Sequence, residues 1–295
     1  MWQGPPAKSV SLIASVSYTT NTFRGLAISA EIGVVKWPMP DYSTITELPD
    51  SLVMPIQIRR TYSRYLFGSL YCEGRDVLEV ACGGGQGLGL LAKKARKVVG
   101  GDYEEKNLAY ARQTYKGQGK IEIVSLDAHD LKLPDRSFDV ILLYEAIYYL
   151  HSPEKFLQEC RRVLRPGGVL ILCTANKDWP DFNPSPFSHR YFSVPELNRF
   201  LGENGFRPKF YGAFPDDPAE GSRLRSLIKK VAVKLHLIPK TMKGKVLLKR
   251  LFFGGLVKLP WELKEGDATY EEPVALPADQ VDTVHTALYA VGTSV

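Results

Sequence analysis

The chain has 295 residues, 44% of them hydrophobic and 24% charged, the balance of an ordinary globular protein large enough for one sizeable core. No run approaches the roughly 20 apolar residues of a membrane span, and Cys72, Cys82, Cys160 and Cys173 show no CxxC pairing or neighbouring histidine, which argues against a structural zinc site and a disulfide scaffold. The net charge of +6 is uneven: segment 222–258 holds 11 Lys or Arg and no acid, leaving 27 basic against 32 acidic residues elsewhere.

Residues 1–54 read as an N-terminal arm without sustained periodicity, ending in the Pro-rich connector WPMPDYSTITELP. Its one early lysine and its interrupted apolar letters do not suit a secretory signal, so a cytoplasmic location is expected. From Pro55 to Leu70 a helix is predicted, with Ile58, Tyr62, Tyr65 and Leu66 on one face. Short apolar runs at Val77–Val80, Val98–Gly101, Ile121–Val124, Phe138–Leu143 and Val169–Thr174 alternate with helical stretches, which predicts parallel strands joined by right-handed crossovers. Ser193 and Glu196 stand at capping-box spacing, opening a helix that stops at Asn204-Gly205. Phe206–Phe214 and His285–Gly292 supply two last strands. The expected architecture is α/β: a doubly wound, mostly parallel seven-stranded sheet with helices on both faces and an antiparallel last strand. The arm would cover residues 1–54, the core 55–212, a basic helical insertion 213–282 and the final core strand 283–295.

The chemistry concentrates in VLEVACGGGQGLGLLA, a buried strand, a glycine-rich turn and then a helix. Gly83 and Gly85 let a backbone pass close to a ligand, and the amides that open the helix can face an anionic group. The spacing fails the dinucleotide fingerprint, because the third small position is occupied by Gln86. That places a nicotinamide oxidoreductase last among the alternatives.

Glu79, Ala81, Gly83 and Gly85 match the acidic-x-Gly-x-Gly-x-Gly loop of class I, Rossmann-like methyltransferases, with Ala81 replacing the first glycine. Asp102 with Tyr103 after the second strand, Asp127 with Ala128 after the third, FDVILLYEAIYYL and Arg165-Pro166-Gly167-Gly168 follow in the family's order. Within it, the chain resembles most the broad small-molecule group that includes ubiquinone and menaquinone biosynthesis methyltransferases. The resemblance implies S-adenosylmethionine as cofactor. It implies that Glu79, Ala81, Gly83 and Gly85 form the donor loop, that Asp102 binds the ribose hydroxyls, that Asp127 and Ala128 meet the adenine edge, and that Tyr144 and Glu145 lie beside the donor.

A sulfonium donor is already activated, so alignment of an acceptor and exclusion of water are the main requirements. For a hydroxyl acceptor a histidine can act as base; His189, in the loop after strand five, is the first candidate and His151 the second, each with a plain surface or capping role as the competing reading. Tyr148 and Tyr149 are candidate acceptor-pocket walls. No Asn-Pro-Pro-Tyr motif follows strand four, and no acidic cluster suggests a magnesium site, so a metal-free transfer to a small or lipid-linked hydroxyl is expected.

SRLRSLIKKVAVKLHLIPK reads as a basic amphipathic helix. It can serve as a lid, a contact to a membrane surface or an attraction to a polyanion; nucleic acid is disfavoured because stacking aromatics are not interleaved. Two functional alternatives stay open: an RNA or protein methyltransferase recruited through this segment, and a donor-binding cyclase or regulatory protein that transfers no methyl group.

Overall fold

The computed structural model describes residues 46–215 and 255–295. The elements, in chain order, are β1 (Leu52–Val53), α1 (Pro55–Ser69), β2 (Asp76–Val80), α2 (Leu88–Lys94), β3 (Lys97–Asp102), α3 (Glu105–Thr114), β4 (Ile121–Ser125), β5 (Phe138–Tyr144), α4 (Pro153–Val163), β6 (Leu164–Ala175), α5 (Val194–Glu203), β7 (Phe206–Pro215), β8 (Val257–Lys258), β9 (Val274–Leu276) and β10 (His285–Ser294). A single 3-10 turn, Ile147–Tyr149, lies between β5 and α4.

Most strands enter one sheet, in the order β4-β3-β2-β5-β6-β10-β7-β9. β2 to β6 pair in parallel, β10 runs antiparallel between β6 and β7, and β9 pairs antiparallel with β7. Among the described residues the sheet therefore has eight strands where the sequence predicts seven. The eighth is the three-residue stretch Val274–Leu276, too short for a period-2 signal and bracketed by Pro273 and Pro277, which confine it to an edge. It lies within the 213–282 segment, as does β8, which pairs with β1 in a separate two-stranded ribbon.

Successive strand residues alternate between two buried clusters, one on each face. Leu78, Ile141, Leu143 and Leu170 pack with Phe156 and Leu157 of α4 and Leu197 and Leu201 of α5. Val77, Val140, Leu142 and Ile171 pack with Tyr62 and Tyr65 of α1, Leu88 and Leu91 of α2 and Leu108 of α3. Coverage on both faces explains why the central strands are nearly continuous apolar runs rather than alternating ones. The four cysteines are buried free thiols.

The predicted capping box forms. Ser193 Oγ accepts from the Glu196 N–H (3.3 Å), and Glu196 Oε2 accepts from the Ser193 N–H (2.9 Å). Gly205, at φ +80°, ends the turn after α5. Ser193→Ala is expected to cost about 1 kcal/mol, seen as a lower urea midpoint at unchanged slope; an unmoved midpoint would mean that the cap contributes nothing. The order β3-β2-β5 reverses chain direction of growth at β2/β5, so a crevice opens outside the carboxyl ends of these strands, the usual ligand position in such sheets.

Candidate functional site

The carboxyl end of β2 runs into a loop whose backbone is unusual. Ala81 (φ +57°), Gly83 (+58°) and Gly85 (+76°) all take the left-handed region. For Ala81, standing where the family has its first glycine, this costs roughly 1–2 kcal/mol. A Cβ on Gly85 would meet Ala111 Cβ at 2.9 Å and Leu88 at 3.1 Å, so α3 and α2 enforce the glycine. Tyr115 braces the loop from below: its hydroxyl donates to the Gly85 carbonyl (2.7 Å) and accepts from the Gly89 N–H (3.1 Å). Gln86, the residue that breaks the dinucleotide pattern, is a tether. Its side chain donates to the Glu47 carbonyl (3.0 Å) and its carbonyl accepts from the Leu263 N–H (2.7 Å).

Two carboxylates, Glu79 and Asp102, flank this loop, and a third, Asp127, stands after the next strand. Glu79 is 1% exposed; Tyr65 Oη donates to its Oε1 (2.7 Å), while Oε2 is buried and has no hydrogen-bond partner among the described residues. Burial drives the Glu79 carboxyl up to about 8, with Asp102 pushing the same way and the Tyr65 hydrogen bond and Arg64 pulling against it. Asp102, at the end of β3, is buried and held by three donors: Oδ2 accepts from the Gly83 N–H (2.8 Å), and Oδ1 accepts from the Glu104 N–H (2.9 Å) and Asn107 Nδ2 (3.2 Å). Burial raises its carboxyl above the usual range in spite of these donors. Tyr103 next to it is exposed. Asp127, after β4, accepts from the His129 N–H (2.8 Å) and faces His129 Nδ1 (2.8 Å). Partial burial opposes its ionisation, but the His129 contacts outweigh it and hold the carboxyl below its usual range. Ala128 is buried beside it.

Beyond the end of β5 the chain forms a second group. Tyr144 turns under α1: its hydroxyl donates to the Arg64 carbonyl (3.2 Å) and its ring meets Tyr65 edge-on at 5.5 Å. Glu145 sits at φ +52°, a strained position for a glutamate. Its carboxylate is held by Tyr148 Oη (2.8 Å), Arg64 Nη2 (3.4 Å) and Cys173 Sγ (3.5 Å). A cavity of about 570 Å³ opens here, lined by Arg64, Glu145, Tyr148, Trp179, Phe182 and Tyr191 among others. Tyr149 lines it too. Tyr191 stacks on Tyr148 at 4.6 Å and meets Phe182 edge-on at 4.7 Å.

Neither candidate histidine lines this cavity. His189 is exposed, and its backbone N–H donates to the Tyr148 carbonyl (2.7 Å). His151 is exposed with its ring 3.9 Å from that of His129; burial, then the neighbouring His129, push its pKa down. The structure thus joins Glu79, Ala81, Gly83, Gly85 and Asp102 around one loop, puts Asp127 and Ala128 at the next strand end, and separates His189 and His151 from the cavity. Tyr65, Tyr115, Arg64 and the Trp179–Tyr191 wall are functional candidates that sequence reasoning missed. The basic helix predicted at 222–240 lies outside the described residues, as does the arm before residue 46.

Residues 78–172 match the family model described as a methyltransferase domain. Over 153 residues the chain is 39% identical to a Mycolicibacterium smegmatis protein named "Probable S-adenosylmethionine-dependent methyltransferase", covering 48% of this chain and 58% of that one. It is 30% identical over 146 residues to the ubiquinone biosynthesis O-methyltransferase of Cereibacter sphaeroides, covering 49% of this chain and 57% of that one. The chain thus spans less than two thirds of the length of these relatives. Among solved structures, the YcgJ protein of Bacillus subtilis superposes with a TM-score of 0.51 at 18% identity, covering 79% of this chain and 98% of that one. The sheet order and this likeness make the fold Rossmann-like.

Proposed function

We propose that this chain, whose residues 78–172 carry the methyltransferase-domain signature, is an S-adenosylmethionine-dependent methyltransferase acting on the hydroxyl of a small or lipid-linked acceptor. The single observation that supports the donor most strongly is the buried Glu79 Oε2. It is a carboxylate oxygen with no hydrogen-bond partner among the described residues, at the strand end that opens a left-handed glycine loop. An unpaired buried oxygen of this kind costs about 1–3 kcal/mol and fits a cationic ligand group such as the donor's ammonium. Asp102 and Asp127, at the ends of the next two strands, fit the ribose and adenine polar edges.

When bound, the donor supplies an activated methyl group. The protein's own contribution is alignment and exclusion of water, worth roughly 7–11 kcal/mol in favourable cases. Glu79 and the loop fix one end of the ligand and Asp102 the middle. Segments 46–53 and 257–263 are tied over the loop through Gln86 and through the Trp261 Nε1–H donated to Asp50 Oδ2 (2.9 Å). In this reading 55–212 and 283–295 hold the donor, and the arm with the 213–282 insertion shapes access for the acceptor. The names of the quinone-pathway relatives support a small-molecule acceptor, and no helix among the described residues is long and apolar enough to cross a membrane.

Calorimetric titration with S-adenosylmethionine, S-adenosylhomocysteine and NADH tests the reading. Micromolar binding of the first two and none of NADH is expected. Absence of binding by both adenosyl ligands would sink it.

A further inference from the structure

We infer that Glu145 is the catalytic base and that the adjoining cavity takes a flat, hydroxylated aromatic acceptor carrying a second oxygen. This rests on the methyltransferase reading and deepens it.

Position comes first. Glu145 follows directly on β5, which pairs with β2, the strand that feeds the donor loop. Its carboxylate faces the cavity at that crevice. Elements from three places fix it: Arg64 from α1, Tyr148 from the 3-10 turn and Cys173 from β6. A carboxylate with three neighbouring donors at 2.8, 3.4 and 3.5 Å is preorganised and still has a lone pair to receive a proton. Tyr148 stays a donor to it, since burial, with Glu145 next, pushes the phenol far above its usual range. The left-handed backbone at Glu145 is a local strain of the kind that concentrates at working sites. The other acids on the cavity wall, Glu47 and Asp181, come from loop segments and not from the end of a strand, and the Glu47 side chain already accepts from Gln57.

The shape of the ligand follows from the wall. Tyr148 and Tyr191 lie nearly parallel, Phe182 meets Tyr191 edge-on, and Trp179 and Phe214 also line the cavity, so flat conjugated surface finds stacking and edge contacts on several sides. Trp179 Nε1 and Thr286 Oγ1, in the same lining, are among the buried polar atoms with no hydrogen-bond partner among the described residues. An indole N–H can only donate. It therefore asks the ligand for an oxygen or similar acceptor in addition to the hydroxyl that reacts. In the transfer, the acceptor oxygen forms a bond to the methyl carbon, the sulfur–carbon bond breaks with its electron pair left on sulfur, and the hydroxyl proton passes to Glu145. The products are a methyl ether and S-adenosylhomocysteine.

The test uses the full chain with S-adenosylmethionine and measures S-adenosylhomocysteine formed with catechol, guaiacol and hydroquinone, and with para-nitrophenol, which is already ionised at a mildly alkaline assay pH. Wild type should methylate at least one of the neutral phenols. Glu145→Gln should lose about 10²-fold or more in kcat with KM and donor affinity nearly unchanged, while its rate on para-nitrophenolate falls far less, because no proton has to leave. Trp179→Phe should raise KM for guaiacol several-fold and spare kcat. If Glu145→Gln does not fold, Tyr148→Phe replaces it, with a smaller kcat loss and the same discrimination between neutral and ionised acceptors. Equal losses on both acceptor types, or a larger loss in His189→Ala than in Glu145→Gln, would overturn the assignment of the base. Tight donor binding with no turnover of any phenol would overturn the acceptor class and leave the donor reading intact; absent donor binding would remove both.

Discussion

Glu79→Gln is expected to make the fold more stable than wild type at alkaline pH, by several kcal/mol, and to bring no such gain at acid pH. The cause is the carboxyl's pKa, about 8 in the folded protein against the ordinary 4.5, with burial as its main origin. The folded state therefore keeps its proton where the unfolded chain has released it. Stability owed to this group is fully present below about pH 4.5, declines between about 4.5 and about 8, and stays at its reduced level above that. Each pKa unit corresponds to about 1.4 kcal/mol, so the upper limit of the loss is on the order of 4–5 kcal/mol. Glutamine cannot ionise, yet its amide oxygen can still accept from Tyr65 Oη. Urea unfolding near pH 5 and near pH 9 gives the result directly, with the variant's advantage widening as pH rises. Parallel stability curves would refute the buried-acid account. The same substitution should weaken the adenosyl donor, since a bound ammonium can displace the Glu79 proton and meet a negative oxygen, which the amide never supplies. A residue that destabilises the fold and serves the ligand is a common arrangement at active sites.

Much of the core was legible because its signals are local. The five parallel strands are runs of Val, Leu and Ile that must be buried on both faces, and each was found to within a few residues. Ser193 with Glu196, and Gly205, announce the two ends of α5 through chemistry that operates over one turn. The glycine loop was legible for the same reason: Ala81, Gly83 and Gly85 are small where the backbone is left-handed or crowded.

What stayed hidden depends on residues far apart in the chain. Val274–Leu276 becomes a strand only because β7 offers an open edge to it. Tyr65 reaches Glu79 from 14 residues away and Tyr115 reaches Gly85 from 30, and neither tyrosine carries a mark that separates it from a core aromatic. The cavity joins α1, the end of β5 and the loop that runs from Trp179 to Tyr191. Sequence reasoning favoured His189 as base on residue type and on its place after the fifth strand. In three dimensions that loop turns its aromatic residues to the cavity and leaves His189 exposed, so the carboxylate at the end of β5 is the nearer group.

Asp102→Ala is expected to weaken S-adenosylhomocysteine binding by about 1–3 kcal/mol, through lost charge-assisted bonds. Two effects could produce that loss. Asp102 supports the loop by accepting the Gly83 N–H, and in the proposed function it also accepts from the ribose hydroxyls. A cycle with the 2′-deoxy analogue of the ligand separates them. If the carboxylate holds the ribose, wild type should bind the deoxy ligand more weakly by a similar amount, and the variant should hardly distinguish the two ligands. Additive losses would confine Asp102 to bracing the loop. In that event Asn107→Ala, which removes the 3.2 Å donor to the same carboxylate together with a 3.5 Å bond to Thr46 Oγ1, should reproduce a substantial part of the effect. With a direct ribose contact it should leave most of the affinity in place, because the Gly83 and Glu104 amides still orient the carboxylate.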